Sequence, residues 1–385
     1  MGPRDGRLSR KPRLQATRGL RVLIVLLAAL GASALAGCGS SLPGTELPPT
    51  REVSRALEFP NLRDYRGVID CRMRASGLTQ ASLAEIARNA QIDFIFLGDV
   101  AARSGQADYG IAGYTSQILF IPGGAFPIGN RGAEIVGLNI SQPIGLEDAS
   151  ARDLIARIHE QGGLAFASEP AKFPSPDDYA LADALEVYNL GDAWRAHGPG
   201  YFDALLFTSD RLFRAIDVRP SANLAAYDRM ASGAQITLAA GVGAAHSTTV
   251  LGTKVGTFDQ FFRVCTTHLL APAREIAPLV DALKRGHAYL SFDLLGYVPN
   301  FAFYAQNGGE RAMMGEQIAY APGLKLRVEM PGRAGRLVLV HDGNKIGSVA
   351  NVKDYEFAPT GPGAYRIEAW RDGRPWILSN PIYVR

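Results

Sequence analysis

The sequence predicts an α/β barrel followed by a small all-β sandwich, with an export signal ahead of both. Short apolar segments alternate with one-faced helices over about 230 residues, and helical periodicity stops near residue 298. The chain of 385 residues is 47% hydrophobic and 20% charged, which is typical of a globular protein and excludes a disordered one. The predicted boundaries are a signal peptide at 1–37, a tether at 38–60, the barrel at 61–297 and the sandwich at 298–385.

The N-terminal segment has the layout of a secretory signal. A basic stretch precedes an apolar run at 22–30, which is too short to span a bilayer, and small residues follow it. The sequence Leu35-Ala36-Gly37-Cys38 resembles a bacterial lipobox, which implies cleavage before Cys38 and acylation of its thiol. An Asp directly after the cysteine would resemble an inner-membrane retention signal. Gly39 stands there instead, so the resemblance favours the outer membrane. The alternative is an ordinary signal with a chance cysteine.

The formal charge of +3 belongs to this signal. Residues 1–37 hold seven of the 40 Lys and Arg residues and one of the 37 Asp and Glu residues, so the remainder of the chain carries −3. A basic balance would have suggested nucleic acid as a partner. Because the mature chain is slightly acidic, we expect no nucleic-acid binding.

Three segments show apolar residues at the helical spacing i, i+3, i+4 and i+7. They begin at Leu83, Ala151 and Ile276, and each predicts a helix with one buried face. Thr79 is a candidate N-cap for the first helix, Gly162 and Gly163 end the second, and Pro272 and Gly286 bracket the third.

Short apolar runs lie between these helices. They are typical of strands that are buried on both faces, as in a parallel sheet covered by helices. Strands alternating with helices favour a barrel, and no glycine-rich phosphate loop supports an open nucleotide-binding sheet. The predicted strands lie at 67–71, 92–97, 118–121, 134–138, 164–167, 184–188 and 236–240.

After residue 298 the pattern changes to alternating strands separated by turn dipeptides such as Pro331-Gly332 and Asp372-Gly373, which predicts the sandwich. Cys71 and Cys265 are the two thiols left after the signal. They could pair in an oxidising compartment, but two buried free cysteines are the favoured interpretation.

In a barrel, reactive residues belong at the carboxyl ends of the strands. At these ends the sequence reads, in order, Asp70-Cys71-Arg72, Gly98-Asp99-Val100, Pro122-Gly123-Gly124-Ala125, Ser168-Glu169-Pro170, Glu186-Val187-Tyr188-Asn189 and Gly243-Ala244-Ala245-His246. The order and spacing of these strand-end motifs resemble those of the polymerase and histidinol phosphatase (PHP) superfamily over residues 66–293. The segment 376–384 resembles the sandwich appended to secreted members.

The resemblance implies a distorted (β/α) barrel of the TIM type and a metal-dependent phosphoesterase, but the metal ligands differ. The family holds up to three divalent metals with His, Asp and Glu. Arg72, Val100, Ala125 and Ala244 stand at ligand positions, as do Asp70 and Glu169 in place of histidines. A guanidinium carries no lone pair for a metal, and alkyl groups offer no donor atom. Of the ligands, only His246 keeps its identity.

Three interpretations of this cleft remain open. Arg72 could pair with Asp70 and Glu169 in a charge network that replaces the metals. Alternatively, Asp70, Glu169 and His246 could hold one divalent cation such as Mg²⁺ or Ca²⁺, with His246 and Asp99 as the catalytic residues. In the third, Arg72 binds an anionic ligand without chemistry, in a pocket with Asp70, Glu169, Tyr188 and Asn189. Asn189 could equally cap a turn.

The functional prediction is therefore an outer-membrane lipoprotein that faces the periplasm and acts as a pseudoenzyme, or as a module that binds a small anionic ligand or a protein partner. No cofactor is expected in that case. The alternative is a hydrolase of phosphate esters that uses one divalent cation. Three further histidines are given simpler roles: His159 is predicted to be a solvated surface residue and His268 a satisfied core residue, and His197 could belong to a loop over the barrel mouth.

Overall fold

The computed structural model describes residues 54–56, 59–99, 109–145, 149–197, 213–245, 247–250 and 253–385. The signal peptide, Cys38 and the tether up to residue 53 lie outside these ranges, as do Val100 and His246. In the described part of the chain, no helix is long and apolar enough to cross a membrane.

The strands, in chain order, are β1 (Ser54–Ala56), β2 (Phe59–Cys71), β3 (Phe94–Leu97), β4 (Gly113–Thr115), β5 (Ile118–Ile121), β6 (Gly123–Ile128), β7 (Ala133–Leu138), β8 (Leu164–Ser168), β9 (Ala184–Asn189), β10 (Thr237–Gly243), β11 (Thr248–Val250), β12 (Thr253–Val255), β13 (Cys265–Ala271), β14 (Ala288–Phe292), β15 (Ala302–Asn307), β16 (Glu310–Met313), β17 (Gln317–Ile318), β18 (Lys325–His341), β19 (Asn344–Phe357), β20 (Gly363–Arg371), β21 (Arg374–Ser379) and β22 (Ile382–Val384). The α-helices are α1 (Gln80–Asn89), α2 (Ala151–Glu160), α3 (Leu190–His197), α4 (Ser221–Ala231), α5 (Phe258–Phe261) and α6 (Ile276–Arg285). Short 3₁₀ helices lie at Arg74–Ser76, Pro170–Lys172, Pro176–Asp178 and Asp293–Leu295.

The three predicted helices are α1, α2 and α6, and their termini carry the chemistry expected from the sequence. Thr79 forms a capping box with Ser82 at the start of α1. Gly162, just after α2, and Gly286, the C-cap of α6, both have positive φ. Helices α3, α4 and α5 were not predicted, because no apolar spacing of i, i+3, i+4 and i+7 was recognised there.

The α/β region is built on β2. Its carboxyl half pairs in parallel with β3 and β10, and its amino half pairs antiparallel with β13. The parallel order continues from β3 to β5 on one side and from β10 through β9 to β8 on the other. This arrangement brings the carboxyl ends of β2, β3, β8, β9 and β10 to one edge.

Two features depart from the sequence expectation. Strands β6 and β7 run antiparallel to each other, and β7 runs antiparallel to β8, so the sheet is mixed. No pairing joins β5 to β6, although all of residues 109–145 are described, so the sheet does not close and the expected barrel is not confirmed.

The C-terminal part, residues 302–384, consists of strands without an intervening helix, as the alternation predicted. Strand β18 is its centre: it pairs antiparallel with β15, β19 and β20. Strand β14 pairs with β21, which joins the two regions into one continuous network of strand pairing.

Apolar packing follows the same organisation. Alternate side chains of β2, β3, β5 and β8, including Ile69, Phe94 and Phe166, form a buried cluster with one face of α6. The outward faces pack against α1 and α2, and a third cluster fills the C-terminal region around Trp376 and Leu337. Cys71 and Cys265 are both buried and free, as the favoured interpretation held.

Candidate ligand-binding cleft

A cleft of about 880 Å³ opens at the edge where the parallel strands end. Its wall combines charged and polar side chains with the first residues of α4. The described residues that carry its chemistry are Arg72, Glu134, Ser168, Glu169, Lys172, Tyr188, Asn189, Asp192, Arg195, His197 and Arg219.

Arg72 forms an ion-pair cluster in this cleft. Its Nε and Nη2 atoms donate to Oδ1 and Oδ2 of Asp70 at 3.2 and 2.9 Å. Nη1 donates to Oε1 of Glu134 at 3.3 Å, and Nη2 also contacts Glu134. Asp70 is fully buried, whereas the side chains of Arg72 and Glu134 are 14% and 17% exposed. One guanidinium is thus held between an inner and an outer carboxylate.

The pairing of Arg72 with Asp70 was one expectation from the sequence, but the expected pairing with Glu169 is wrong. Its place is taken by Glu134, which the sequence reading did not select. Because β7 runs antiparallel to β8, Glu134 lies at the start of its strand directly opposite Ser168, at the same edge as the ends of the parallel strands.

Burial governs the ionisation of this cluster. It raises the pKa of Asp70 to about 6, against the opposing influence of Arg72. Glu186 is also fully buried, and desolvation, with the nearby charge of Asp70, raises its pKa well above the ordinary value. Burial therefore favours the neutral form of Glu186, and its oxygens accept hydrogen bonds from Ser168 Oγ and from Nδ2 of Asn189, the latter at 2.7 Å.

Two glycines make room for these buried acids. A Cβ atom at Gly98 would overlap Oδ1 of Asp70, and one at Gly241 would overlap Oε1 of Glu186. Asp70 and Glu169 themselves have φ of 53° and 48°, a left-handed conformation that non-glycine residues seldom adopt. Such strained residues cluster at ligand and active sites, which supports a binding role for this edge.

The other predicted pocket residues have mainly structural contacts. Asn189 caps α3, since its Oδ1 accepts from the Asp192 N–H at 3.0 Å. The Tyr188 hydroxyl donates to the Ile216 carbonyl, and the ring is buried at the cleft wall. Asp99 accepts backbone N–H groups of Arg74 and Ala75 at 3.0 and 3.2 Å, which caps the 3₁₀ helix there.

A second charge cluster in the cleft wall contains the remaining predicted acid. Glu169 pairs with Lys172, and Lys172 Nζ also lies 2.8 Å from Oδ2 of Asp192. Arg195 pairs with the same aspartate. Lys172 lies three residues after Glu169, across one short 3₁₀ turn, whereas Asp192 and Arg195 reach this pair only through the fold.

The histidines fall as follows. His268 is buried between Asp64 and Ser291, with ring nitrogens 2.7 and 3.1 Å from their oxygens, which confirms a satisfied core histidine. His159 is 40% exposed and lies 2.7 Å from Oδ2 of Asp183. His197 lines the cleft. His246, the candidate general acid or base, lies outside the described residues.

The residues present do not fit the trinuclear metal site of the resemblance. Asp70 and Glu134 are engaged by a guanidinium, and Ala125 is a buried residue of β6 without a donor atom. Across the described ranges, no group of three or more His, Cys, Asp or Glu side chains is arranged to hold a metal ion. The expectation that no cofactor is needed stays a prediction.

No family model and no curated protein matches this sequence. Among solved structures, the chain is similar to the crystal structure of a two-domain protein from Bacteroides vulgatus ATCC 8482 that contains a predicted PHP-like metal-dependent phosphoesterase. The TM-score is 0.39 at 12% sequence identity, and the match covers 87% of this chain and 100% of that one. At these values the likeness carries no conclusion about the activity of the present chain.

Proposed function

We propose that this chain is a PHP-like ligand-binding lipoprotein that faces the periplasm, with a cleft for a small anionic ligand in place of a hydrolytic metal centre. The PHP resemblance rests on the order and spacing of the strand-end motifs. The lipoprotein assignment rests on the basic segment, the apolar run and Leu35-Ala36-Gly37-Cys38. The cleft is the part of the proposal that the described residues support.

The position of the Arg72 guanidinium is the observation that carries the proposal. It pairs with both Asp70 and Glu134 and offsets one of the two negative charges that these carboxylates would otherwise place at the base of the cleft. A guanidinium stays protonated at all relevant pH values and cannot coordinate a cation. The oxygens of both carboxylates are thus already engaged by a group of the chain itself, which leaves them poorly placed to coordinate a metal.

The outer edge of Arg72 is the proposed recognition element. Asp70 holds the guanidinium from the buried side through two hydrogen bonds, which fixes its plane. Nη1 and Nη2 face Glu134, a partly exposed side chain that an incoming carboxylate or phosphate group could replace. Binding of a planar or tetrahedral anion would then exchange one carboxylate partner for another.

Metal analysis of the purified full chain tests this proposal. We expect no stoichiometric Zn, Mn, Fe, Mg or Ca after dialysis, and no hydrolysis of bis(p-nitrophenyl) phosphate with added Mn²⁺ or Mg²⁺, because Arg72 engages the carboxylates. Inductively coupled plasma mass spectrometry and a colorimetric assay supply the readouts.

Stoichiometric metal would overturn the proposal in favour of a single-cation hydrolase if Asp70→Ala or Glu169→Ala removed it. The matched control is Asp183→Ala, because Asp183 pairs with a partly exposed histidine away from the cleft cluster. Metal retained by all three variants would be held elsewhere and would leave the proposal for this cleft standing.

A further inference from the structure

A second and smaller groove, of about 280 Å³, lies on the C-terminal strands and is separate from the base of the cleft. Its described lining is Arg219, Arg336, Val338, Val340, Gly343, Lys345, Glu368 and Trp370. Arg336, Val338 and Val340 alternate along β18, so their side chains point to one face of the sheet. In the register with β20, Arg336 lies opposite Trp370, and Val338 opposite Glu368.

The charges at the inner end of this groove are balanced by ion pairs. Arg366 Nε lies 2.7 Å from Oδ1 of Asp228, and its Nη1 lies 2.8 Å from Oε1 of Glu368. Arg219 Nη2 lies 2.6 Å from the same glutamate oxygen. Two arginines therefore meet two carboxylates, Asp228 and Glu368, and leave no net charge there.

The outer end carries an excess of positive charge. Within the described residues, Arg336 and Lys345 have no carboxylate partner, and both side chains are exposed. The Arg336 guanidinium lies 4.9 Å from the centre of the Trp370 ring. The buried indole Nε1–H of Trp370 has no acceptor in the described part of the chain. Among its described lining residues, the groove thus presents two cations without a carboxylate partner, and the one carboxylate there, Glu368, is already paired.

We propose that this groove binds a phosphate monoester. A monoester carries close to two negative charges at pH 7 and three acceptor oxygens, which match the two excess cations, Arg336 and Lys345, while the Trp370 indole beside Arg336 reports on their environment. The volume exceeds that of a phosphate group, and the buried Val338 and Val340 form an apolar floor for a small organic part of the ligand. Inorganic phosphate shares the anionic chemistry but would leave this floor uncovered.

The indole resonances test the proposal directly, because the chain contains three tryptophans. The full chain, ¹⁵N-labelled and in a non-ionic detergent, is titrated with glycerol 3-phosphate, with inorganic phosphate, and with NaCl at matched ionic strength. We expect a saturable shift of the Trp370 Nε1–H signal with glycerol 3-phosphate. The Trp376 signal should stay in place, since its Nε1 donates to the Gly296 carbonyl at 3.0 Å outside the groove. Trp370→Phe assigns the signal.

Two double variants distinguish binding in this groove from a general effect of positive charge on the protein surface. Arg336→Gln with Lys345→Gln should weaken binding about tenfold or more, because charged hydrogen-bond donors are lost. Lys325→Gln with Arg327→Gln removes the same charge from the same strand at exposed positions paired with Glu356, and should leave the affinity unchanged.

Equal losses in the two double variants would overturn the proposal, as would a shift that fails to saturate or that NaCl reproduces. Tighter binding of glycerol 3-phosphate than of inorganic phosphate supports the monoester. Equal affinities would overturn the monoester and assign the groove to free phosphate. Because the readout is Trp370, none of these outcomes depends on ligand binding at Arg72.

Discussion

Two arginines at the two ends of one strand segment behave differently. Arg66, within β2, is fully buried, and its Nε and Nη2 donate to Oδ2 of Asp293 at 3.1 and 2.7 Å. It also donates to the carbonyls of Ala90 and Phe262. The guanidinium of Arg72, just after the end of β2, pairs with carboxylates alone among the described residues, and 14% of the side chain is exposed.

The difference lies in how replaceable the partners are. Backbone carbonyls and a buried carboxylate hold Arg66 from all sides, so it ties β2 to α1, α5 and the end of β14. One partner of Arg72 is a side chain at the cleft surface, Glu134, which can move away. The same chemical group is thus a fixed structural tie at one end of the segment and an exchangeable contact at the other.

The largest expected effect comes from Arg66→Met, which leaves the buried Asp293 without its counter-charge. The expected loss is about 3–5 kcal/mol in the free energy of unfolding. Urea denaturation followed by circular dichroism measures it. Arg72→Met, of the same size change, should cost less, because Glu134 remains partly hydrated and Asp70, whose pKa is already about 6, can take up a proton when its partner is lost. Equal losses for the two variants would contradict the distinction between the two arginines.

An intermediate effect is expected from the ionisation of Asp70, whose pKa is about 6 in the folded chain against about 3.9 in an unfolded one. The raised pKa means that the folded state binds this proton more tightly. The associated stability is complete below pH 4 and is lost as the pH rises through 6. Wild type should therefore lose up to about 3 kcal/mol relative to Asp70→Asn between pH 4 and pH 7, at about 1.4 kcal/mol per pKa unit.

Denaturation curves at both pH values check this. Asp153→Asn is the control of opposite sign, because the Ser150 hydroxyl lowers the pKa of this exposed capping residue. That variant should lose stability relative to wild type at pH 7 and recover it at low pH. A constant difference between wild type and Asp70→Asn would show that Asp70 is not desolvated.

The smallest effect on stability is expected from Glu134→Gln, at less than about 1 kcal/mol, because this outer pair is partly hydrated. The same change should strengthen binding of succinate in calorimetric titrations, since it removes the carboxylate that competes for Arg72. Arg72→Gln should abolish that binding. Succinate binding weakened by Glu134→Gln would make Glu134 a ligand contact instead of a competitor.

Much of the secondary structure was predictable because it follows from local pattern. Local pattern sets the apolar spacing of α1, α2 and α6, the N-cap at Thr79 and the helix end at Gly286. Each of these features depends only on residues within one or two turns of the helix. The apolar runs of β3, β5, β8 and β9 were found within a few residues for the same reason. The separation of a mixed region from an all-β region also follows from such local signals.

Glu134 is a residue whose role in the cleft could not be predicted from local sequence pattern. A strand reads the same in either direction, so the sequence could not show that β7 runs antiparallel to β8 and that Glu134, near its start, reaches the cleft. The pair of Glu169 with Lys172 is local, since the two residues are three apart, but the contact of Lys172 with Asp192 depends on the tertiary structure.

The sequence alone determined the order of the elements that have a clear apolar pattern, among them α1, α2, α6 and the buried strands. It also determined that Arg72 stands where the resemblance would place a metal ligand. Only the tertiary structure decided which carboxylates Arg72 meets, that Asp70 and Glu186 are buried next to Gly98 and Gly241, and that Arg336, Lys345 and Trp370 share one face. The physical reason is that the spacing of apolar residues indicates which face of a helix or strand is buried. An ion pair or a raised pKa depends instead on distances between segments far apart in the chain.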